Sequence, residues 1–138
     1  MNISALLEIL KGRSVYDIGA AADMLWINIE DRYAIDIQSP FRVTANGKIV
    51  LSNTELYLEQ DDIKQSISKC RSLLELPCKI EDIRIAAHND LHISLSNGGI
   101  IETFTNSADG EDEQWRIFER HNDEKPHYAA YPFEICEE

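Results

Sequence analysis

The fold is decided by the stretch MLWINIEDRYAIDIQ, residues 24–38. Its apolar residues alternate with polar ones, as Leu25, Ile27 and Ile29 do before the turn at residues 31–32. Alternation with a period of two predicts strands that are buried on one face, and two such runs joined by a tight turn predict a hairpin. We therefore expect a fold built mainly from antiparallel strands.

The same pattern continues on both sides of this hairpin. Residues 15–21 precede it as a strand, and residues 41–44 follow it in an extended form. Asn46-Gly47 then turns the chain into a returning strand at residues 48–52, because both turn positions tolerate positive φ. Further strands are predicted at residues 80–87, 91–95, 100–105, 115–119 and, weakened by Pro132, 128–135.

Two helices are predicted besides the strands. A short N-terminal helix starts with Ser4 as its cap and ends before Gly12. A central helix at approximately residues 61–75 starts with Asp61 or Asp62 as its cap. Its apolar stripe consists of Ile63, Ile67, Cys70 and Leu74. The expected fold class is α+β, mainly antiparallel β, with an N-terminal helix and a central bridging helix.

Trp26 lies on the opposite strand face from Leu25 and Ile27. If a helix covers that face, the N-terminal helix is the natural cover, through its apolar residues Leu6, Leu7 and Leu10. If no helix covers it, Trp26 is an exposed anchor for a partner.

The chain contains two similar β-meander halves, at approximately residues 13–53 and 79–120. The aligned segments are Val15-x-x-Ile18 with Ile80-x-x-Ile83, LWINI (25–29) with LHISL (91–95), AID (34–36) with IIE (100–102), and FRV (41–43) with WRI (115–117). Alternatively, any two meanders with alternating apolar residues align in this way, but the shared aromatic–arginine–aliphatic triplet favours a repeat. We therefore predict a single domain over residues 1–138, whose halves pack about a pseudo-twofold axis.

Composition and charge restrict the function. The 138 residues include 13 Lys and Arg against 25 Asp and Glu, which gives a net charge of −12. This charge disfavours nucleic acids and anionic membranes as partners and favours a basic protein, although acidity can also serve solubility alone.

Three cysteines without a CxxC spacing favour neither a disulfide frame nor a zinc site. We see no signal peptide and no apolar run long enough to span a membrane, so we expect a cytoplasmic protein.

No motif for catalysis, cofactor binding or metal binding is recognisable. The sequence has no glycine-rich phosphate loop after a strand, no GxSxG and no HExxH. His88 and His92 lie roughly 13 Å apart by strand rise, too far to share a metal ion, and DGEDE (109–113) lacks the ligand spacing of a calcium loop. Cys70 is expected in the core, whereas Cys78 would be reactive only if exposed. We therefore expect a protein that is not an enzyme and needs no cofactor or metal.

Acidic residues are concentrated towards the C-terminus. From Glu102 onward there are eleven acidic and three basic residues, with aromatic residues among them. Aromatic side chains ringed by acids are typical of surfaces that bind proteins, although a solvated rim has the same composition. The candidate partner-binding residues are Asp109, Glu111, Asp112, Glu113, Trp115, Glu119, Asp123, Glu124 and Tyr131.

Several segments resemble those of a group of short bacterial proteins built from two repeats. They are Gly12-x-x-Val15, Asp23-x-Leu25-x-Ile27, SPFRV (39–43), Asp90-Leu91 and Trp115-Arg116-Ile117. Some proteins of this kind resemble the immunity partners encoded beside secreted toxins, including those of contact-dependent inhibition systems. The resemblance implies a cytoplasmic, non-enzymatic protein that neutralises a toxin by binding it, and many such toxins are basic nucleases. The chain departs from the group in its long acidic loop and its aromatic C-terminus.

Two other functions stay open on the sequence. One is a small-ligand-binding or regulatory module with a pocket between the two halves. The other is an enzyme of an unrecognised type, which a pocket holding a cysteine, histidine or carboxylate of perturbed pKa would indicate.

Overall fold

The computed structural model describes residues 2–138 as two α-helices and eleven strands. The helices are α1 (Ile3–Leu10) and α2 (Gln60–Leu73). The strands are β1 (Ser14–Ala21), β2 (Met24–Ile29), β3 (Tyr33–Ile37), β4 (Phe41–Ala45), β5 (Lys48–Ser52), β6 (Cys78–Ile85), β7 (Leu91–Leu95), β8 (Ile100–Thr103), β9 (Trp115–Glu119), β10 (Tyr128–Ala130) and β11 (Ile135–Glu137). The predicted α+β class, mainly antiparallel with an N-terminal and a central helix, is confirmed.

The strands form one antiparallel sheet in the order β11-β10-β9-β3-β2-β1-β6-β7-β8-β4-β5. β1 and β6 meet at its centre, where Ser14 pairs with Lys79 and Val15 with Cys78. Three consecutive strands of each half extend outward from this centre. The fourth strands are exchanged, because β4 pairs with β8 and β9 pairs with β3. This exchange, which the sequence alignment does not reveal, ties each half to the other.

The two halves also share strand register. A bulge interrupts β1 between Val15 and Asp17, and an equivalent bulge interrupts β6 between Ile80 and Asp82. In the alignment of the halves these two pairs of residues occupy the same positions. The same local twist is therefore introduced on both sides of the sheet centre.

The aromatic–arginine–aliphatic triplets begin the two exchanged strands. Their aromatic and aliphatic residues are buried, and each arginine lies opposite an acidic residue of the strand that it joins. Arg42 lies opposite Glu102, and Arg116 lies opposite Asp36. The triplet therefore recurs because each exchanged strand makes the same contacts with the other half.

The helix caps differ from those predicted. The Asn2 side chain, rather than that of Ser4, caps α1 by accepting a hydrogen bond of 2.9 Å from a backbone N–H of the first turn. α2 begins at Gln60, so the predicted caps Asp61 and Asp62 lie inside its first turn. Their negative charge still complements the positive end of the helix dipole there.

One hydrophobic core extends through both halves. The stripe predicted for α2 is part of it, consisting of Ile63, Ile67, Cys70 and Leu74. Burial raises the pKa of Cys70 to about 12, so this thiol is a neutral core group, as predicted. Cys78 is buried as well.

Trp26 is covered by α2 and not by α1. Its ring lies over Gly19 of β1, and Ile63 and Ile67 of α2 border the same cleft. The expectation that α1 covers Trp26 is wrong, because α1 packs beside β6 while α2 crosses from β5 to β1.

Replacing Gly19 by alanine will destabilise the protein by about 1–3 kcal/mol. An added Cβ would overlap with the six-membered ring of Trp26, so the indole would have to move. Denaturant unfolding measures the loss. The same substitution in a Trp26→Leu background should cost less, because the clash is relieved, and equal losses in the two backgrounds would contradict this packing.

Candidate partner-binding surface

The acidic loop, residues 104–114, joins β8 to β9 and is fixed at both ends. At its start the Phe104 N–H donates to the Pro40 carbonyl at 2.8 Å, and at its end the Gln114 N–H donates to the Ala130 carbonyl at 2.7 Å. The loop is therefore tied to the residue before β4 and to β10, and its acidic residues are presented from a defined position.

Trp115 lies in the core at the base of this loop. It is fully buried, because it faces inward opposite Ile37 of β3. Its indole N–H donates to the Asn89 carbonyl at 2.8 Å, and the Asn89 side chain donates to the Tyr131 carbonyl at 2.9 Å. The prediction that Trp115 contacts a partner is wrong, since this residue anchors the loop from below.

The exposed aromatic residue of the region is Phe133, which lies between β10 and β11 and is 75% exposed. It contacts Gly110 of the acidic loop, where an added Cβ would lie 3.0 Å from the phenyl ring. A groove of about 340 Å³ runs beside this contact and includes Tyr131 and Cys136. We define the acidic–aromatic surface as Asp109, Glu111, Asp112, Phe133, Glu134 and Glu138.

Arg116 connects the two sides of this surface. Its Nη2 donates to Glu113 Oε1 at 2.6 Å and to Glu138 Oε2 at 2.7 Å, and its Nη1 lies 3.0 Å from His127 Nδ1. The Tyr131 hydroxyl donates to the other Glu138 oxygen, Oε1, at 2.6 Å. A single guanidinium therefore links the acidic loop to the C-terminal strand, and Glu113 is an internal ion-pair partner.

These hydrogen bonds set the protonation of the groups involved. The bond to Glu138 raises the pKa of Tyr131 to about 12. The same bond lowers the pKa of Glu138, and the contact with Arg116 lowers it further. The bond with Glu113 raises the pKa of Arg116, while burial and then Glu113 raise the pKa of Asp36 opposite it. At neutral pH, Glu138 is therefore an anion and Tyr131 keeps its proton.

Tyr131→Phe will raise the pKa of Glu138 towards its ordinary value of 4.5. In the intact protein the folded-state pKa is depressed, so this carboxylate stabilises the fold above pH 4.5 and stops doing so as the pH falls through the lowered pKa. A carbon-detected NMR titration measures the shift. Tyr57→Phe is the control, because Tyr57 is 76% exposed; an unchanged Glu138 in the Tyr131 variant would contradict the network.

The remaining predicted residues lie elsewhere. Glu119 ends β9, roughly 13 Å by strand rise from Trp115 at its start, and approaches Arg32 at 3.5 Å. Asp123 and Glu124 are exposed between β9 and β10, at that same end. The structure therefore separates these three acids from the acidic loop. The predicted residues that it brings together are Asp109, Glu111, Asp112, Glu113 and Tyr131.

Phe133, Glu134 and Glu138 are absent from the predicted residues. The segment 128–135 is predicted as one strand, whereas the structure has a hairpin of β10 and β11 with Pro132 between them. Proline is common in turns and cannot donate to a central ladder. Pro132 is the signal in the sequence that could have placed Phe133 at an exposed turn.

A separate cavity of about 230 Å³ lies between α1 and strands β3, β9 and β10. Its lining includes Leu6, Tyr33 and Phe118. Strands of both halves, β3 and β9, border it, but it lies away from the sheet centre, where buried Val15 of β1 pairs with Cys78 of β6.

Comparison with protein-family models, curated proteins and solved structures found no match. Within residues 2–138, no three or more His, Cys, Asp and Glu side chains are grouped so as to hold a metal ion. In the same part of the chain, neither helix has the length and apolar character needed to cross a bilayer.

Proposed function

We propose that this chain is a bacterial immunity protein that binds a cognate toxin through the acidic–aromatic surface and thereby neutralises it in the cytoplasm. The observation that carries the proposal is Phe133, an aromatic side chain that is 75% exposed and flanked by acids. Exposed aromatic anchors are typical centres of protein interfaces. A negative field around such an anchor speeds encounter with a basic partner such as a nuclease domain.

The rigidity of the surface supports binding by a preformed site. The acidic loop is hydrogen-bonded at both ends, and Arg116 connects it to the C-terminal strand through Glu113 and Glu138. A surface that is ordered before binding loses less conformational entropy when the complex forms. High affinity from a small area is therefore feasible.

The other two functions have less support. The cavity beneath α1, at about 230 Å³, is smaller than the range of about 300–1,000 Å³ that is usual for ligand pockets. As for an enzyme, Cys70 and Cys78 are buried, and the ionised groups around Arg116 are satisfied by one another. These contacts suit a structural network better than a site that must exchange protons with a substrate.

Co-expression with the protein encoded beside this gene, which the proposal requires to be the toxin, tests it. We expect the chain to restore growth of toxin-expressing cells and to co-purify with the toxin as a stoichiometric complex. If the cells grow but the chain and the toxin form no complex, and the toxin is chemically altered, the chain would instead be an enzyme that inactivates the toxin. Failure both to restore growth and to bind would contradict the immunity role.

A further inference from the structure

Cations without an ion-pair partner gather at one place on this acidic protein. Of the 13 Lys and Arg residues, seven form ion pairs among residues 2–138. Three of the other six, Lys48, Lys64 and Lys69, lie on β5 and on α2, which packs against β5. Lys48 and Lys69 border one groove there, whereas Lys64 borders the cleft over Trp26.

This groove lies between β5 and α2. It has a volume of about 460 Å³, and its lining includes Lys48, Ile49, Lys69 and Leu73. Ile49 is 60% exposed and Leu73 is 36% exposed. Among residues 2–138, β5 is the last strand of the sheet, so one side of its backbone has no neighbouring strand there. The groove thus combines exposed apolar side chains, two lysines and a strand edge, and the acidic residue that borders it, Glu55, accepts hydrogen bonds from the Ser52 and Thr54 hydroxyls.

We propose that this groove binds the C-terminal segment, residues 133–138, of a second copy of the chain. The segment carries an exposed phenyl ring at Phe133 and the exposed carboxylates Glu134 and Glu137. Its apolar and acidic groups complement the isoleucine, leucine and lysines of the groove. The groove lies outside the acidic–aromatic surface, but the segment shares Phe133, Glu134 and Glu138 with it, so a bound toxin and a second copy would compete for these residues.

The backbone of the segment is suited to edge-to-edge pairing. Glu138 and His127 exchange hydrogen bonds of 2.7 and 2.8 Å across β11 and β10. In an antiparallel ladder the bonded pairs alternate, so the backbone groups of Glu137 and Ile135 point away from β10. β11 and β5 are the two ends of the same sheet, and a β5–β11 contact between copies would continue it.

The two contact surfaces differ and lie at opposite ends of the sheet, so the association is head-to-tail. Such contacts extend beyond a dimer unless they close into a ring. Repulsion between copies of charge −12 opposes it, but at about 0.15 M salt charges more than about 8 Å apart are largely screened. We therefore expect weak association at this ionic strength, with a mass that rises with concentration and shows no plateau at two copies.

Sedimentation velocity of the full-length chain and two charge-reversal variants tests the proposal. One variant, Lys48→Glu/Lys69→Glu, alters the groove, and the other, Glu134→Lys/Glu137→Lys, alters the segment without touching the Arg116 contacts. Each variant alone should be monomeric, with an unchanged circular dichroism spectrum and thermal midpoint. Their mixture should regain association, because the unchanged segment of one variant fits the unchanged groove of the other and the reversed segment fits the reversed groove; a mixture that stays monomeric would contradict the contact.

A wild-type chain that stays monomeric into the submillimolar range would overturn the proposal. If that monomer nevertheless binds a fluorescent polyglutamate peptide, the groove takes an acidic segment of another protein and not a second copy. A dimer that persists in either variant, or a wild-type mass that levels at two copies, would also overturn the head-to-tail contact.

Discussion

Trp115→Ala will lower the free energy of unfolding by about 3–5 kcal/mol, the usual cost of deleting a large buried aromatic side chain. Trp115 is fully buried where the exchanged strand β9 joins β3. Its loss leaves a cavity in the core and removes the hydrogen bond to the Asn89 carbonyl. Urea unfolding followed by circular dichroism measures the change.

Two controls separate the packing of Trp115 from its hydrogen bond. Trp115→Phe keeps most of the ring but leaves the Asn89 carbonyl without its donor, so we expect a loss of about 1–3 kcal/mol. Trp26→Ala removes a tryptophan that is only partly buried and should cost less than Trp115→Ala. An alanine variant of Trp115 that is as stable as that of Trp26 would contradict the assigned anchoring role.

Separating the two halves will abolish folding of each. The fragment 2–58 contains β4 without its partner β8, and the fragment 59–138 contains β9 without its partner β3. Each fragment thus loses one side of a strand and exposes its share of the common core. We expect both fragments alone to give NMR spectra of unfolded chains, and their mixture to recover the dispersed spectrum of the intact protein.

A cleavable full-length chain is the control for this experiment. Leu58 and Glu59 are exposed, so a protease site inserted between them should be cut without loss of the fold. The nicked protein should keep both fragments together until denaturant is added. A fragment that gives a dispersed spectrum by itself would show that the exchanged strands are not needed for its folding.

Much of the sheet was predictable because its strands follow local rules. Alternating apolar residues and the Asn46-Gly47 turn place β2 to β5 close to their predicted bounds. The strand exchange was not predictable in this way. It places Arg42 and Arg116 opposite acidic residues of the other half, and these residues are far away in the sequence. Alternation defines a strand and its buried face, but it does not identify which strand lies beside it.

The candidate surface was predicted only in part, for a related reason. The acidic loop was found from its composition, yet Trp115, a predicted partner contact, is buried, and the exposed Phe133 was not among the candidate residues. Burial of Trp115 depends on its position opposite Ile37 of β3, and exposure of Phe133 depends on the β10–β11 hairpin. Both are consequences of tertiary pairing, which residue type does not determine.

The measurement that tests the immunity proposal most directly is the affinity of the purified toxin domain for two matched variants, by titration calorimetry. The surface variant combines Phe133→Ala with Asp109→Asn, Glu111→Gln and Asp112→Asn. The control variant, Glu59→Gln/Asp61→Asn/Asp62→Asn, removes the same number of charges from exposed positions at the start of α2. We expect the surface variant to bind at least about 30-fold more weakly, since one hot-spot residue contributes about 2 kcal/mol or more, while the control keeps nearly wild-type affinity. Equal affinities of the two variants would contradict the assignment of the acidic–aromatic surface as the toxin-binding site.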